Sequence, residues 1–410
     1  MRLISILAAS AALLATVACE KWGNDNNPYK SLTLTTKSAE FVEKGNTFTF
    51  NFIDRINASA KQDYVISPLS MQFLLGMILD GARGDTADEI CSVLGYGQGE
   101  VAAVNEYCLS MLQQLPSLDR KTRLTIANAI FVDDGWPLKD SYKTTVSQYY
   151  QAQVANLDFA DATGSLKAMN GWCASHTNNL IPKVLDEVST DMLAYLFNAM
   201  YFKSQWKEKF KKDVTTEEIF KDEAGNKQGK VQMMKQNYKS YSYNDNDVYQ
   251  VVRLPYGNGA FAMYVFLPTG KSKLSDVTAA LKKTDWSSLR HNLVPCEVDL
   301  WLPRFETKFH IKLNDILCDM GMPRAFDDAL ADFKAMSDYA LCLSFVNQDA
   351  VIKVDEEGAE AAVVSSAGMK KETAAAPGDH VVFHADHPFL YLITETSSGA
   401  VLFAGRYSGK

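Results

Sequence analysis

Three histidines near the C-terminus have a spacing that could gather a metal ion. His380, His384 and His387 stand at i, i+4 and i+7, which would place their imidazoles on one face of a helix. The residues between the first two are β-like and Pro388 follows the third, so a helix is disfavoured. In a strand, the third imidazole would point away from the other two. The pattern therefore predicts no metal site, with a metal as the alternative.

The sequence lacks the motifs of several enzyme classes. GxSxG, HExxH, GxxxxGK[ST] and GxGxxG are all missing, which leaves hydrolase, zinc-protease and nucleotide-binding readings without support. The formal net charge is −8 and no basic patch stands out, so nucleic acid is a disfavoured partner. We therefore expect a protein that is not an enzyme and that needs no cofactor.

Residues 355–377 have an unusual composition for a loop. The first half is rich in Ala and Val, without proline, and its alternate positions are small and uncharged: Ala359, Ala361, Val363 and Ser365. Such a stretch could lie in a sheet with these side chains inward and Glu360 and Val364 outward. Gly358 would supply a flexible hinge at its base. The alternative is a disordered surface loop.

The N-terminus is predicted to be an export signal. Arg2 is followed by an apolar run that ends at Ala18, and the run is short for a membrane span. Residues 16–19 resemble a bacterial lipobox, so we expect residues 1–18 to be removed and Cys19 to carry a lipid. The alternative is an ordinary secretory signal. Residues 19–45 are predicted to form the lipidated cysteine and a polar tether.

Length and composition describe a globular chain. It has 410 residues, of which 47% are hydrophobic and 22% charged, and no linker or repeat interrupts it after residue 45. We therefore predict one domain over residues 46–410. Six cysteines follow Cys19 and lie in mostly apolar surroundings, which favours buried free thiols over disulfides.

Helix signals concentrate in the first half of the domain. Ser67 and Pro68 are a capping hydroxyl and a first-turn proline, and they predict a helix through 71–79 that stops at Gly81. Residues 86–89 read as a capping box that opens a short helix ended by Gly95. A third helix is predicted around residues 313–320, before Gly321.

Strand signals dominate the second half. Strands are predicted at 249–255, 261–268, 298–302, 341–354 and 381–383, and a C-terminal hairpin at 389–404. Helices and strands are thus segregated along the chain rather than alternating. This predicts an α+β fold with large, mostly antiparallel sheets.

Several motifs together resemble the serpin family. The hinge-like run is Glu356-Glu357-Gly358-Ala359-Glu360-Ala361-Ala362, and the other matching segments are 67–70, 198–203 with Trp206, 302–305, 321–322, 386–389 and 403–406. They occur in the family's order and cover roughly residues 45–410. The resemblance implies a serpin domain with a large, mostly antiparallel central sheet, N-terminal helices and an exposed reactive-centre loop at about 356–380.

The resemblance also implies a suicide-substrate inhibitor of a serine or cysteine endopeptidase. The protease would attack the loop and form an acyl-enzyme, and the cut loop would then insert into the central sheet. Counting about 14 residues beyond Gly358, as the family's insertion geometry suggests, places the reactive bond at Glu372–Thr373. Lys370 and Lys371 are alternatives that suit trypsin-like enzymes, and residues 374–376 suit elastase-like ones.

The resemblance further implies two control regions. Ser67, Ser70 and Asn198 match the polar cluster called the shutter, and Trp206 matches the region called the breach. Gln348 occupies the shutter position where many members carry histidine, although an amide can still donate and accept hydrogen bonds.

The expected partners are an endopeptidase (trypsin-like, Glu-specific or elastase-like) and a membrane, contacted through the N-terminal lipid of a monomeric chain. The expected location is the bacterial cell envelope or the extracellular space. The alternative function is a non-inhibitory serpin that acts as a surface binding or structural protein.

Overall fold

The computed structural model describes residues 27–60, 62–359 and 380–409. The described helices are α1 Thr36–Ser59, α2 Pro68–Gly81, α3 Gly84–Leu94, α4 Val101–Gln114, α5 Asp140–Tyr150, α6 Ala162–His176, α7 Leu274–Lys283, α8 Trp286–His291 and α9 Asn314–Met320. In this part of the chain, no helix is both long and apolar enough to cross a bilayer.

The strands form two sheets. They are β1 Tyr64–Ile66, β2 Arg123–Asp133, β3 Gln153–Leu157, β4 Ala194–Gln205, β5 Thr216–Lys221, β6 Lys227–Asp245, β7 Tyr249–Tyr256, β8 Phe261–Pro268, β9 Val294–Pro303, β10 Phe305–Lys312, β11 Asn347–Asp355, β12 Gly358–Ala359, β13 His380–His384, β14 Phe389–Glu395 and β15 Val401–Tyr407. The larger sheet has the order β1-β15-β14-β8-β7-β6-β9-β13, with β5 beside β6, and the smaller has the order β10-β11-β12-β4-β2-β3. Among the described strands, only the β2–β3 and β9–β13 pairs are parallel, so the predicted α+β class with mostly antiparallel sheets is confirmed.

The helix α2 lies in the core and begins as its sequence predicts. The Ser67 hydroxyl accepts a hydrogen bond from the Ser70 amide at 3.3 Å, and Pro68 occupies the first turn. Nearly every residue of this helix is buried, because it packs against both β4 and β15. The predicted end at Gly81 and the predicted α9, which ends at Gly321, are also confirmed.

Two predicted element starts are wrong. α3 begins at Gly84 rather than at a Thr86 cap, because the Thr86 hydroxyl accepts a hydrogen bond from the Asp332 amide instead of capping a helix. The strand expected from residue 341 begins only at Asn347. Residues before it turn towards another segment, since the Leu343 amide donates to the Ala325 carbonyl. The other predicted strands are confirmed.

The predicted tether is too long. Helix α1 begins at Thr36 with a Thr35 cap, and it buries Phe41 completely, so residues 36–45 belong to the folded domain. Even the segment before it is held to the domain, because the Asn27 amide donates to Asp119 at 2.7 Å and the Thr33 amide to Gln114 at 2.8 Å. The sequence patterns did not predict the start of helix α1, because the first turn of this helix is polar.

The cysteines of the described residues are free thiols, as predicted. Cys91, Cys108, Cys173 and Cys296 are buried, while Cys318 and Cys342 are half-buried. Burial raises the pKa of the Cys91 thiol to about 11, so this thiol is protonated and unreactive near neutral pH.

Candidate functional site

The two-residue strand β12 lies between β4 and β11 in the smaller sheet. Gly358 pairs with Asp355 of β11 and with Gln205 of β4, and Ala359 pairs with Val354 and with Ser204. The Ala359 side chain is only 1% exposed, which agrees with its predicted inward position. The hinge therefore forms a two-residue central strand, and the residues that follow it in the sequence, 360–379, lie outside the described part of the chain.

Only glycine fits at position 358, the first residue of the hinge strand β12. Gly358 has φ +153°, and a Cβ atom added there would lie 2.0 Å from the carbonyl oxygen of Ser204. Because that oxygen belongs to the backbone of a paired strand, it cannot move aside without disturbing β4. The glycine lets the chain approach β4 closely enough to pair with it.

Trp206, the predicted breach residue, is hydrogen-bonded to the turn that precedes the hinge strand. Its indole nitrogen donates to the Asp355 carbonyl at 2.8 Å, and its backbone amide donates to the Glu357 carbonyl at 2.8 Å. The indole stacks on Tyr256 of the larger sheet, with ring centroids 4.4 Å apart. Trp206 thus ties the turn before the hinge to both sheets.

Glu356 is a buried carboxylate at the base of the hinge. Its side chain is 1% exposed, and it accepts hydrogen bonds from two guanidinium nitrogens of Arg304 and from the Thr215 hydroxyl at 2.7 Å. Burial acts to raise the pKa of Glu356, but the Arg304 and Thr215 hydrogen bonds outweigh it and hold the pKa below the usual value. The pair fixes the strand end from which the loop departs.

Glu357 is half-buried and is held more weakly than Glu356. Its carboxylate pairs with Lys209 at 2.7 Å and with Lys212 at 3.5 Å, and the Lys209 contact lowers its pKa. Exposed pairs of this kind contribute about 0–1 kcal/mol to stability. The two adjacent glutamates therefore differ in role, since only Glu356 is built into the fold.

Below the hinge, the described strands leave a gap in the smaller sheet. Residues 194–203 of β4 pair with β2, and residues 347–353 of β11 pair with β10, but no described strand pairs with the facing edges of these two segments. Each edge carries backbone N–H and C=O groups that can accept another strand. The described hinge therefore leads directly towards two strand edges that are ready to pair.

The predicted shutter residues Ser67 and Gln348 contact each other. The Gln348 amide accepts from the Ser67 backbone N–H at 3.1 Å and donates to the Ser67 carbonyl at 2.8 Å. The Ser67 hydroxyl donates to the Leu402 carbonyl at 2.8 Å. One amide thus fixes the start of α2 to β11, which shows that glutamine can make a two-way contact at this position.

The fourth shutter residue, Asn198, belongs to a different chain of hydrogen bonds. Asn198 donates to the Asn128 side chain at 2.7 Å, and Asn128 donates to the Tyr150 carbonyl at 2.6 Å. The Tyr150 hydroxyl bonds to Asn105, which donates to Asp80 at 2.8 Å. Burial raises the pKa of Asp80 to about 6. The titratable carboxyl group of Asp80 thus ends this series of hydrogen bonds, whereas Gln348 has no titratable group.

Other predicted site residues lie outside the described residues. These are Cys19, the outer hinge residues Glu360, Ala361 and Ala362, and the reactive-bond candidates Lys370, Lys371, Glu372 and Thr373. Sequence reasoning missed Arg304, Thr215 and Asn128. Arg304 lies in a segment that carried the family resemblance, but nothing in its local sequence pairs it with Glu356.

The three histidines have separate partners. The His380 imidazole lies 3.2 Å from Asp299, that of His387 lies 2.9 Å from Asp386, and His384 stacks on Trp301. Over the described residues, no group of three or more His, Cys, Asp or Glu side chains is arranged to hold a metal ion.

Comparisons with known proteins agree with this geometry. The family model described as serpin (serine protease inhibitor) matches residues 43–409. Serpin B6 of Macaca fascicularis is 33% identical over 90% of this chain and 98% of its own length, and human serpin B3 is 32% identical over 89% and 98%. The chain belongs to the serpin family, whose members are protease inhibitors in general rather than enzymes.

Solved structures show the same fold. The crystal structure of tengpin, a thermophilic serpin, in its native state superposes on this chain with a TM-score of 0.82. The two sequences are 26% identical, and the match covers 94% of this chain and 97% of tengpin. Human thyroxine-binding globulin in complex with thyroxine is 23% identical with a TM-score of 0.80, which shows the fold alone. The expected single serpin fold is thereby confirmed.

Gly358→Ala is expected to release the hinge from the sheet. The added methyl group would meet the Ser204 carbonyl, and strain of this kind costs about 1–3 kcal/mol. Hydrogen exchange should then speed up roughly tenfold or more at the Trp206 amide, which donates to the hinge. Gly229→Ala is the control, because its methyl would meet open space. Unchanged protection in Gly358→Ala would show that the hinge does not depend on this close approach.

Arg304→Met is expected to lower the free energy of unfolding by about 2–3 kcal/mol, because it leaves the buried Glu356 carboxylate without its charged partner. The double variant Arg304→Met, Glu356→Gln should recover part of the lost free energy of unfolding. The matched control is Lys209→Met, which breaks the exposed pair with Glu357 and should change stability by less than about 1 kcal/mol. The free energies of unfolding are measured by denaturant unfolding. Equal losses in Arg304→Met and Lys209→Met would contradict the structural role assigned to the buried Arg304–Glu356 pair.

Proposed function

We propose that this serpin inhibits a serine or cysteine endopeptidase as a suicide substrate. The observation that carries the proposal is the hinge strand β12, which begins between β4 and β11 where both edges are unpaired among the described strands. After cleavage of the loop, the segment that follows Ala359 could pair with these two strand edges. The small residues of this segment suit a place between them.

The first chemical step is ordinary proteolysis. The protease nucleophile attacks the carbonyl carbon of the reactive bond, the peptide C–N bond breaks, and the new amine leaves with a proton. The upstream half of the loop remains joined to the protease as an acyl group. We propose the bond Glu372–Thr373, with those after Lys370 and Lys371 as alternatives.

The second step is strand insertion. The freed segment would pair with both β4 and β11, which adds on the order of ten backbone hydrogen bonds at about 1 kcal/mol each. A protease domain is itself stable by about 5–15 kcal/mol. Insertion therefore releases enough free energy to distort the attached protease before the acyl bond is hydrolysed.

The proposed location follows from the N-terminal sequence. Lipid attachment at Cys19 would anchor a monomeric inhibitor to the bacterial cell envelope, and residues 20–26 would link it to the domain. Loss of fatty-acid labelling in a Cys19→Ala variant tests the anchor.

Incubation with trypsin, a glutamate-specific endopeptidase and elastase tests the inhibitory function. We expect an SDS-resistant complex with at least one of them, and intact-mass analysis of the released peptide locates the bond. Ala361→Arg should convert the inhibitor into a substrate, because a charged side chain at an inward position slows insertion. Glu360→Arg is the matched control, since its position faces outward in the expected strand, and it should still form the complex.

Clean loop cleavage of the wild type without complex formation, by all three proteases, would contradict inhibition. That result would favour a non-inhibitory surface binding protein on the same fold. A stable complex formed by Ala361→Arg would contradict the insertion step.

A further inference from the structure

Tyr238 is an exposed aromatic residue in a strained backbone conformation. It has φ +54°, its exposure is 69%, and it lies where the pairing of β6 with β9 shifts register between Gln236 and Lys239. A bulky non-glycine residue is rare in this left-handed region. Strained residues of this kind concentrate at functional sites, and burial in the core does not explain this one.

Asp299 holds the strained residue in place. One oxygen of its carboxylate accepts the Tyr238 backbone N–H at 3.0 Å, and the other lies 3.2 Å from the His380 imidazole. The Tyr238 ring stacks on that imidazole, with centroids 5.0 Å apart and planes 29° from parallel. The phenol ring is thus fixed while it faces the solvent.

The stacked rings continue along the outermost strand of the larger sheet. Val382 is 51% exposed, and His384 stacks on Trp301 with centroids 3.9 Å apart. Alternate residues of β13 share one side of the sheet with their partners on β9. We define the β13 face as Tyr238, Asp299, Trp301, His380, Val382 and His384.

Ring faces and apolar surface dominate this region. The Asp299 carboxylate is paired with His380, and the Lys235 ammonium is paired with Glu218 at 2.6 Å and lies over the Trp301 ring. Glu297, opposite His380, adds one exposed carboxylate at the rim. Rigid, exposed aromatic residues are typical anchors of protein interfaces.

The position of the face identifies its partner. β13 begins at His380, the first described residue after the loop segment 360–379. Thr373 and His380 are seven positions apart in the sequence, and such a chain spans at most about 25 Å. A small domain is about 30 Å across. This chain length is short enough for a protease engaged at the proposed bond to reach the face.

We propose that the β13 face is a second docking surface for the endopeptidase that engages the loop, with Tyr238 as its anchor. The proposal rests on the proposed function to the extent that the partner is an endopeptidase that cuts within residues 360–379. Recognition through ring stacking would add affinity and selectivity that the loop sequence alone does not provide.

The experiment measures the second-order rate of loop cleavage of the full chain by trypsin, elastase and a glutamate-specific endopeptidase. Tyr238→Asn removes the ring but tolerates the left-handed backbone. It should slow cleavage by at least one protease roughly tenfold, with no loss of melting temperature. Tyr238→Phe keeps the ring and should stay within about twofold of the wild type. Tyr339→Asn is the matched control, because Tyr339 is also exposed but stacks on Trp136.

Wild-type cleavage rates in Tyr238→Asn with all three proteases would overturn the docking surface, as would a loop that none of them cuts. An equal slowing in Tyr339→Asn would also overturn it. SDS-resistant complexes are scored separately in the same reactions. If the wild type is cleaved without forming a complex, the inhibitory function fails, while the cleavage rates still decide whether the face docks a protease.

Discussion

The backbone pairing of Gly358 and Ala359 between β4 and β11 is the contact on which the rest of the structure depends. It places Gly358 and Ala359 between these two strands, and the facing edges of β4 and β11 below it are unpaired among the described strands. The surrounding residues hold this arrangement in place. Trp206 bonds to the turn before the hinge, and Arg304 neutralises the buried Glu356. A rigid base, together with two strand edges that no described strand pairs with, is what a stored conformational change requires.

Below the hinge, the polar contacts divide into two groups. Gln348 joins β11 to the start of α2, whereas Asn198 joins β4 to β2 through Asn128. Because these groups lie on the two sides of the opening, each strand is attached to its own side of the molecule. The side-chain amide oxygen of Asn198, Oδ1, is buried and has no hydrogen-bond partner among the described residues. Such an unsatisfied acceptor favours a strand that could supply a donor.

Local sequence signals predicted the elements whose cues lie within a few residues. The Ser67 cap, the Gly321 stop and the C-terminal hairpin are of this kind, and family resemblance located the hinge and Trp206. Long-range partners were not predictable, because Arg304 and Glu356 are 52 residues apart and nothing local joins them. The first turn of α1 looked like a tether because its buried side chains start only at Ser38 and Phe41. Tyr238 gave no signal, since its unusual backbone arises from the register shift between two strands.

The central claim is that the intact chain lies higher in free energy than a form with the loop inside the sheet. The direct measurement is the melting temperature before and after limited cleavage within residues 360–379. Ten additional hydrogen bonds should raise it by roughly 10 °C or more. An unchanged melting temperature in the cleaved chain, with both fragments still associated, would contradict the claim.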